Sequence, residues 1–281
     1  MGMHIPFKIY RYQLLPLDRN NTKDLFNNVT SDSIIARKNE YFSEAISSLP
    51  THRLSRTQTI VDVQLLQSDF FHLTFAPSRP LTRETAEYKK EQVENWPHIE
   101  AYILNSPQEQ YLLIQNRPSA FANTDTVAKM IIRGTRLVLE SAGLSLKIEP
   151  LFNKAFFWDL VKEYKNRITW VEFEFITPNM ANISNTLADT LKSLSKDMNA
   201  VQEKLALTAE PISSLDISPD NATIQGLVDY TSQGGGDITL KIRGMRQKIQ
   251  TSNSTREVSI SGLELTASPA QLRELFRDEL K

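Results

Sequence analysis

Cysteine is missing from the 281-residue chain, and histidine occurs only four times. Without cysteine there is no disulfide, no thiolate zinc site, no iron–sulfur cluster and no thiol nucleophile. His4, His52, His72 and His98 are too far apart for His-x₃-His or His-x-Glu ligation, so a metal would need distant carboxylates. Charge of one sign is also lacking. The 32 Lys+Arg and 33 Asp+Glu give a formal net charge of −1, which excludes a strongly basic coat protein and an acidic disordered tail but not a local cationic face. No run approaches the ~18 apolar residues that span a bilayer. Residues 1–7 hold no basic segment leading into an apolar one, and the reading is a cytoplasmic protein. No Gly-x-Gly-x-x-Gly occurs, and Gly234-Gly235-Gly236 is followed by Asp237 rather than Lys and Ser/Thr, so no phosphate-binding loop is read. These absences weigh against an enzyme; no catalytic residue, metal or cofactor is assigned.

What is present suffices for a core: 40% hydrophobic residues, with 13 Phe and 8 Tyr. Residues 5–15 read as an opening strand, and 34–49 as a helix stopped by Pro50. Alternation over 57–66 and 70–76 predicts a hairpin, and the charged run 80–95 a helix. Strands are expected at 99–104 and 110–116, then a helix from Thr124/Asp125 to Gly143. A strand at 144–151, a helix at 154–165 and a strand at 168–176 follow. In the last of these Val171, Phe173 and Phe175 oppose Glu172 and Glu174. A long helix is read over 182–206, a Pro/Ser-rich linker over 209–220 and a helix over 220–230. Strands near 237–243 and 256–262 and a helix over 268–280 opened by Ser268-Pro269 complete the chain. The order from residue 99 is β-β-α-β-α-β. It predicts an α+β fold with ferredoxin-like lobes on mostly antiparallel sheet. The domains expected are an N-terminal lobe at 1–98, a ferredoxin-like lobe with a long helix at 99–206, and a helix-hairpin-helix-like extension at 207–281.

Two cationic faces stand out. In the helix near residue 126, Lys129, Arg133 and Arg136 fall at i, i+4 and i+7 and share one face, opposite Val127, Ile131, Gly134 and Val138. Near the C-terminus, Lys241, Arg243, Arg246 and Lys248 crowd together, with Lys241 and Arg243 alternating against Leu240 and Ile242. Such a ribbon suits phosphate contact through counterion release, although cations also protect exposed edges from pairing. Leu187, Leu191, Leu194, Met198, Val201 and Leu205 follow 4-3-4-3-4 spacing, read as either a dimer seam or a core-packed helix. Other constellations lack context. Ser193-Leu-Ser-Lys196 has the Ser-x-x-Lys spacing of acyl-transfer enzymes without their other motifs. Glu87-Tyr88-Lys89, with Asp62 upstream, has the Glu-x-Lys ending of a metal-dependent nuclease but lies in a helix-like charged run.

Over residues 110–180 the segments YLLIQNR, Ile148-Glu149-Pro150-Leu151 and ITWVEFEFITPN occur in order, followed by LTAE at 207–210 and ISPD at 217–220. This pattern resembles an uncharacterised family of bacterial proteins found among phage-defence genes. More remotely it is similar to the Rex-type phage-exclusion protein of temperate phages. The resemblance implies a homodimer that binds duplex DNA without sequence preference and triggers an effector protein. The functional expectation is therefore an antiviral DNA-binding sensor or accessory subunit. A metal-dependent nuclease subunit, or a protein-interaction module without nucleic acid, stands as the alternative.

Overall fold

The computed structural model describes residues 4–17, 31–49, 58–176, 197–198 and 200–280. The elements in chain order are β1 (His4–Pro16), α1 (Ser31–Ala36), α2 (Lys38–Ser47), β2 (Thr59–Gln67), β3 (Phe70–Pro77), β4 (Leu81–Glu84), β5 (Lys90–Val93), β6 (Ile99–Asn105) and β7 (Gln110–Gln115). There follow α3 (Asp125–Ser141), β8 (Leu144–Pro150), α4 (Lys154–Glu163), β9 (Ile168–Ile176), β10 (Gln202–Thr208), α5 (Ala222–Tyr230), β11 (Gly236–Ile242), β12 (Ile249–Gln250), β13 (Glu257–Ser261) and α6 (Pro269–Leu280). This is a mixed α+β architecture with antiparallel sheets. Among the described residues no helix is long and apolar enough to cross a membrane.

The chain divides into two units, each built from separated segments: one from residues 1–8, 37–142 and 257–281, the other from 9–36 and 143–256. In the first unit the strand order is β13-β1-β7-β6-β3-β2. Alternation along β3 sends Phe71, Leu73 and Phe75 to one face and Phe70, His72 and Thr74 to the other. Helix α6 lays Phe276 on the Phe70 side, where its ring meets Phe7, Phe70 and Tyr102 at centroid distances of 6.1, 6.2 and 4.8 Å. Ser268 and Gln271 exchange hydrogen bonds at the start of α6, a reciprocal cap that fixes where it begins. Helix α2 is tied to the end of β6 through Asn105, whose amide donates to the Asn39 carbonyl and the Ser43 hydroxyl, both at 2.8 Å.

In the second unit the remainder of β1 pairs antiparallel with β8, from Tyr10 opposite Pro150 to Pro16 opposite Leu144. A four-stranded sheet runs β10-β9-β11-β12. Val171, Phe173 and Phe175 of β9 and Ile238, Leu240 and Ile242 of β11 are buried with Phe157 of α4 and Leu227 and Tyr230 of α5. Asn153 and Asn221 cap α4 and α5, each side chain accepting from a backbone N–H two residues on, at 2.9 and 3.1 Å.

Several expectations change. The run 80–95 is a hairpin of β4 and β5, not a helix, with Tyr88 at its turn in a left-handed conformation at φ 58°. Its residues offer no apolar stripe at helical spacing, whereas cross-strand pairing sets Arg83 against Glu91 at 3.1 Å. Of the long helix expected over 182–206, residues 182–196 lie outside the described residues, and 202–206 belong to strand β10 instead. Leu205 is the register partner of Phe173 and packs at the margin of the core, because the edge of β9 recruits the chain as a strand. Of the heptad residues, Leu187, Leu191 and Leu194 lie outside the described residues, Met198 is 72% exposed, and Val201 and Leu205 are half-buried. The stretch 209–220 is no free linker: Ala209 and Leu215 donate backbone hydrogen bonds to Thr169 and Ile168 at 2.9 and 2.8 Å. The helix read over 34–49 is two helices broken at Arg37, which belong to different units. The β-β-α-β-α-β order does not close into one ferredoxin-like sheet, since β6 and β7 pair in the first unit while β9 pairs with β10 and β11 in the second. Residues 98 and 99 share the first unit, and the segment 207–281 is divided, β11 going to the second unit and β13 to the first.

Candidate nucleic-acid interface

Strand β9 buries Val171, Phe173 and Phe175 on one side, so Trp170, Glu172 and Glu174 emerge on the other. Register places Lys241 of β11 beside Trp170, and Thr208 of β10 on its other flank. The chain then turns at Gly244, where φ is +87°, and comes back to put the Lys248 ammonium 3.8 Å from the centre of the Trp170 ring, within cation–π range. Arg243 is held at the strand end. Its backbone N–H donates to the Arg167 carbonyl at 2.8 Å, its carbonyl accepts from the Arg167 guanidinium at 3.0 Å, and its own guanidinium donates to the Ser213 carbonyl. Arg167 in turn lies 5.5 Å over the Tyr164 ring. Trp170, Lys241, Arg243 and Lys248 line a shallow cavity of about 410 Å³ whose wall, including Glu210, comes from the 208–212 segment. Lys241, Arg243, Arg246 and Lys248 are all exposed.

The acids of this sheet face are engaged elsewhere. Lys204 pairs with both Glu172 and Glu174, and its ammonium is held above the ordinary lysine range chiefly by the hydrogen bond to Glu174. Asp237 accepts from the Thr251 and Ser252 hydroxyls, each at 2.7 Å, and from the Ser252 backbone N–H at 2.9 Å. The carboxylates are thus held in contacts of their own at one end of the sheet, and the cations gather round Trp170 at the other. That arrangement can accept a phosphate on the cations and an unstacked base near the indole.

The second predicted set behaves differently. Lys129, Arg133 and Arg136 are exposed along one face of α3, with Val127 and Ile131 buried opposite. The Arg136 guanidinium, however, donates to Glu140 at 2.8 Å. Thr124 stands at the N-cap of this helix without a side-chain cap bond, and Asn123 before it accepts from the Asp125 N–H at 2.9 Å. The two cationic sets belong to different units.

The other candidate residues are not brought together among the described residues. Glu87 is exposed in the β4–β5 turn, and Asp62 accepts from the neighbouring Gln64 amide at 3.0 Å. Among the described residues no three His, Asp or Glu come together as metal ligands. Ser193 and Lys196 lie outside the described residues. The glycine triplet is explained by close backbone approach. A Cβ at Gly234 would strike Arg11, one at Gly235 the Tyr230 ring, and one at Gly236 the Glu174 carbonyl. Trp170 was missed in reading the sequence, although the alternation that exposes Glu172 exposes it as well. Comparison with family models, curated proteins and solved structures finds no match to this chain.

Proposed function

We propose that the protein binds nucleic acid without sequence preference, as a sensor or accessory subunit in phage defence, and that Lys241, Arg243, Arg246 and Lys248 contact the phosphate backbone. The observation that carries the DNA-binding reading is the concentration of these exposed cations around Trp170, on a sheet face whose acids are already engaged. The role in defence, a homodimer and an effector partner come from the resemblance alone. A strand-end cluster of this kind neutralises phosphates in any sequence and supplies no base-edge donors in a fixed array, which fits nonspecific binding.

Fluorescence anisotropy against duplex DNA, single-stranded DNA and RNA at two salt concentrations tests the reading. An Arg243→Glu/Arg246→Glu variant is expected to bind at least about tenfold more weakly and with a shallower salt dependence. Unchanged affinity and slope would remove the assignment. Quenching of Trp170 fluorescence by single strands but not by duplex would shift the ligand to unpaired nucleic acid.

A further inference from the structure

Within the first unit, His72 of β3 and Tyr102 of β6 are register partners, and their rings stack at a centroid distance of 4.8 Å with planes 17° apart. The Tyr102 hydroxyl donates to Glu100 Oε2 at 2.9 Å. His72 Nε2 lies 3.9 Å from the same oxygen, is buried, and has no hydrogen-bond partner. These three groups form the polar floor of a cavity of about 310 Å³ with apolar walls that include Ile5, Leu66 and Leu272, roofed by the segment leading into α6. No Lys or Arg lines it. Burial holds His72 below the ordinary imidazole range, against the opposing pull of Glu100 and Asp62. The imidazole is therefore neutral near pH 7 and gives the Glu100 carboxylate no countercharge. That carboxylate accepts one hydroxyl and keeps lone pairs to spare.

We propose that this cavity is a binding site for a small primary amine on an apolar body of roughly four to six carbons. The ammonium donates to the Glu100 carboxylate, the accessible anionic group of the floor, beside the stacked rings of His72 and Tyr102. The alkyl chain covers Ile5, Leu66 and Leu272. A carboxylate ligand is repelled by Glu100, and an alcohol brings no charge to meet it.

The test uses the full chain titrated with n-pentylammonium, n-pentanol and pentanoate, read by the imidazole NMR signals of His72. The amine is expected to give a saturable shift at His72, the alcohol a weaker one and the acid none. Glu100→Gln should weaken amine binding by about tenfold. Ala267→Leu, which fills the half-exposed roof of the cavity and leaves the carboxylate in place, should weaken it as well. Circular dichroism checks that both variants are folded. No saturable shift in the parent chain overturns the proposal, as does equal affinity for alcohol and amine, or full affinity in Glu100→Gln. If Glu100→Gln does not fold, Ala267→Leu decides, and undiminished amine binding there overturns it.

Discussion

At Gly236 the backbone adopts φ +154°, and a Cβ there would fall on the carbonyl oxygen of Glu174 in the adjacent strand. A backbone oxygen inside a paired ladder has no room to retreat. Gly236→Ala is therefore expected to cost about 3 kcal/mol, read as a lowered urea midpoint followed by tryptophan fluorescence. Gly244, also left-handed at φ +87°, faces nothing nearer than the Arg167 guanidinium at 3.5 Å, so Gly244→Ala should cost only about 1 kcal/mol for the dihedral. His72 supplies a second prediction at this scale. Burial depresses its folded-state pKa below the unfolded value, so the folded chain resists taking up the proton. Its contribution is fully present above about pH 6.5, the unfolded value, and is lost as pH falls through the lower folded-state pKa. Stability should decline on acidification below pH 6.5, and His72→Gln should flatten that decline in urea titrations. An identical pH slope in the variant would sink the argument.

Among the elements, β10 and α6 show how differently a similar-looking apolar residue can count. Leu205 is half-buried beside the core of the second unit, while Met198, in the same heptad register, is largely exposed. Leu205→Ala should cost about 1–2 kcal/mol and Met198→Ala less than about 0.5 kcal/mol. A dimer seam would instead couple both substitutions to molecular size on a column. On α6, Phe276 is fully buried among three aromatic rings, and Phe276→Ala should cost about 3–5 kcal/mol. Arg277, paired with Glu109 at 2.7 Å and partly exposed, should cost about 1 kcal/mol as Arg277→Ala. Most of these elements are legible in the sequence because the signals are local. Alternation marks β2, β3 and β9, Pro after a capping Ser marks α6, and helical spacing with Gly143 beyond it marks α3. The 80–95 run and the 202–208 strand are not, because each takes its conformation from a partner strand that periodicity cannot see. Lys241 and Arg243 were legible for the same local reason. The His72–Glu100–Tyr102 cluster was not, since it depends on the β3–β6 register.

For the whole molecule, a net charge of −1 sets a weak overall field, so any attraction for a polyanion has to come from local clusters. The two clusters lie in different units and differ in what they already hold. On α3 the Arg136 guanidinium must leave Glu140 before it can meet a phosphate, and that exchange of one anion for another yields little. At the β11–β12 turn four exposed cations, Lys241, Arg243, Arg246 and Lys248, stand together; Lys204 offsets part of the field of Glu172 and Glu174, and Glu210 in the cavity wall is the acid nearest the cluster. Four phosphates neutralised on a duplex would give a log–log salt slope of about −3.6, and on a single strand about −2.8. Reversing Arg243 and Arg246 should flatten the slope by about 2 units on a duplex, whereas Lys129→Glu/Arg133→Glu should change it by less than half as much. Equal flattening by the two double variants would mean that both units carry phosphate. Flattening by the α3 pair alone would move the interface to the first unit.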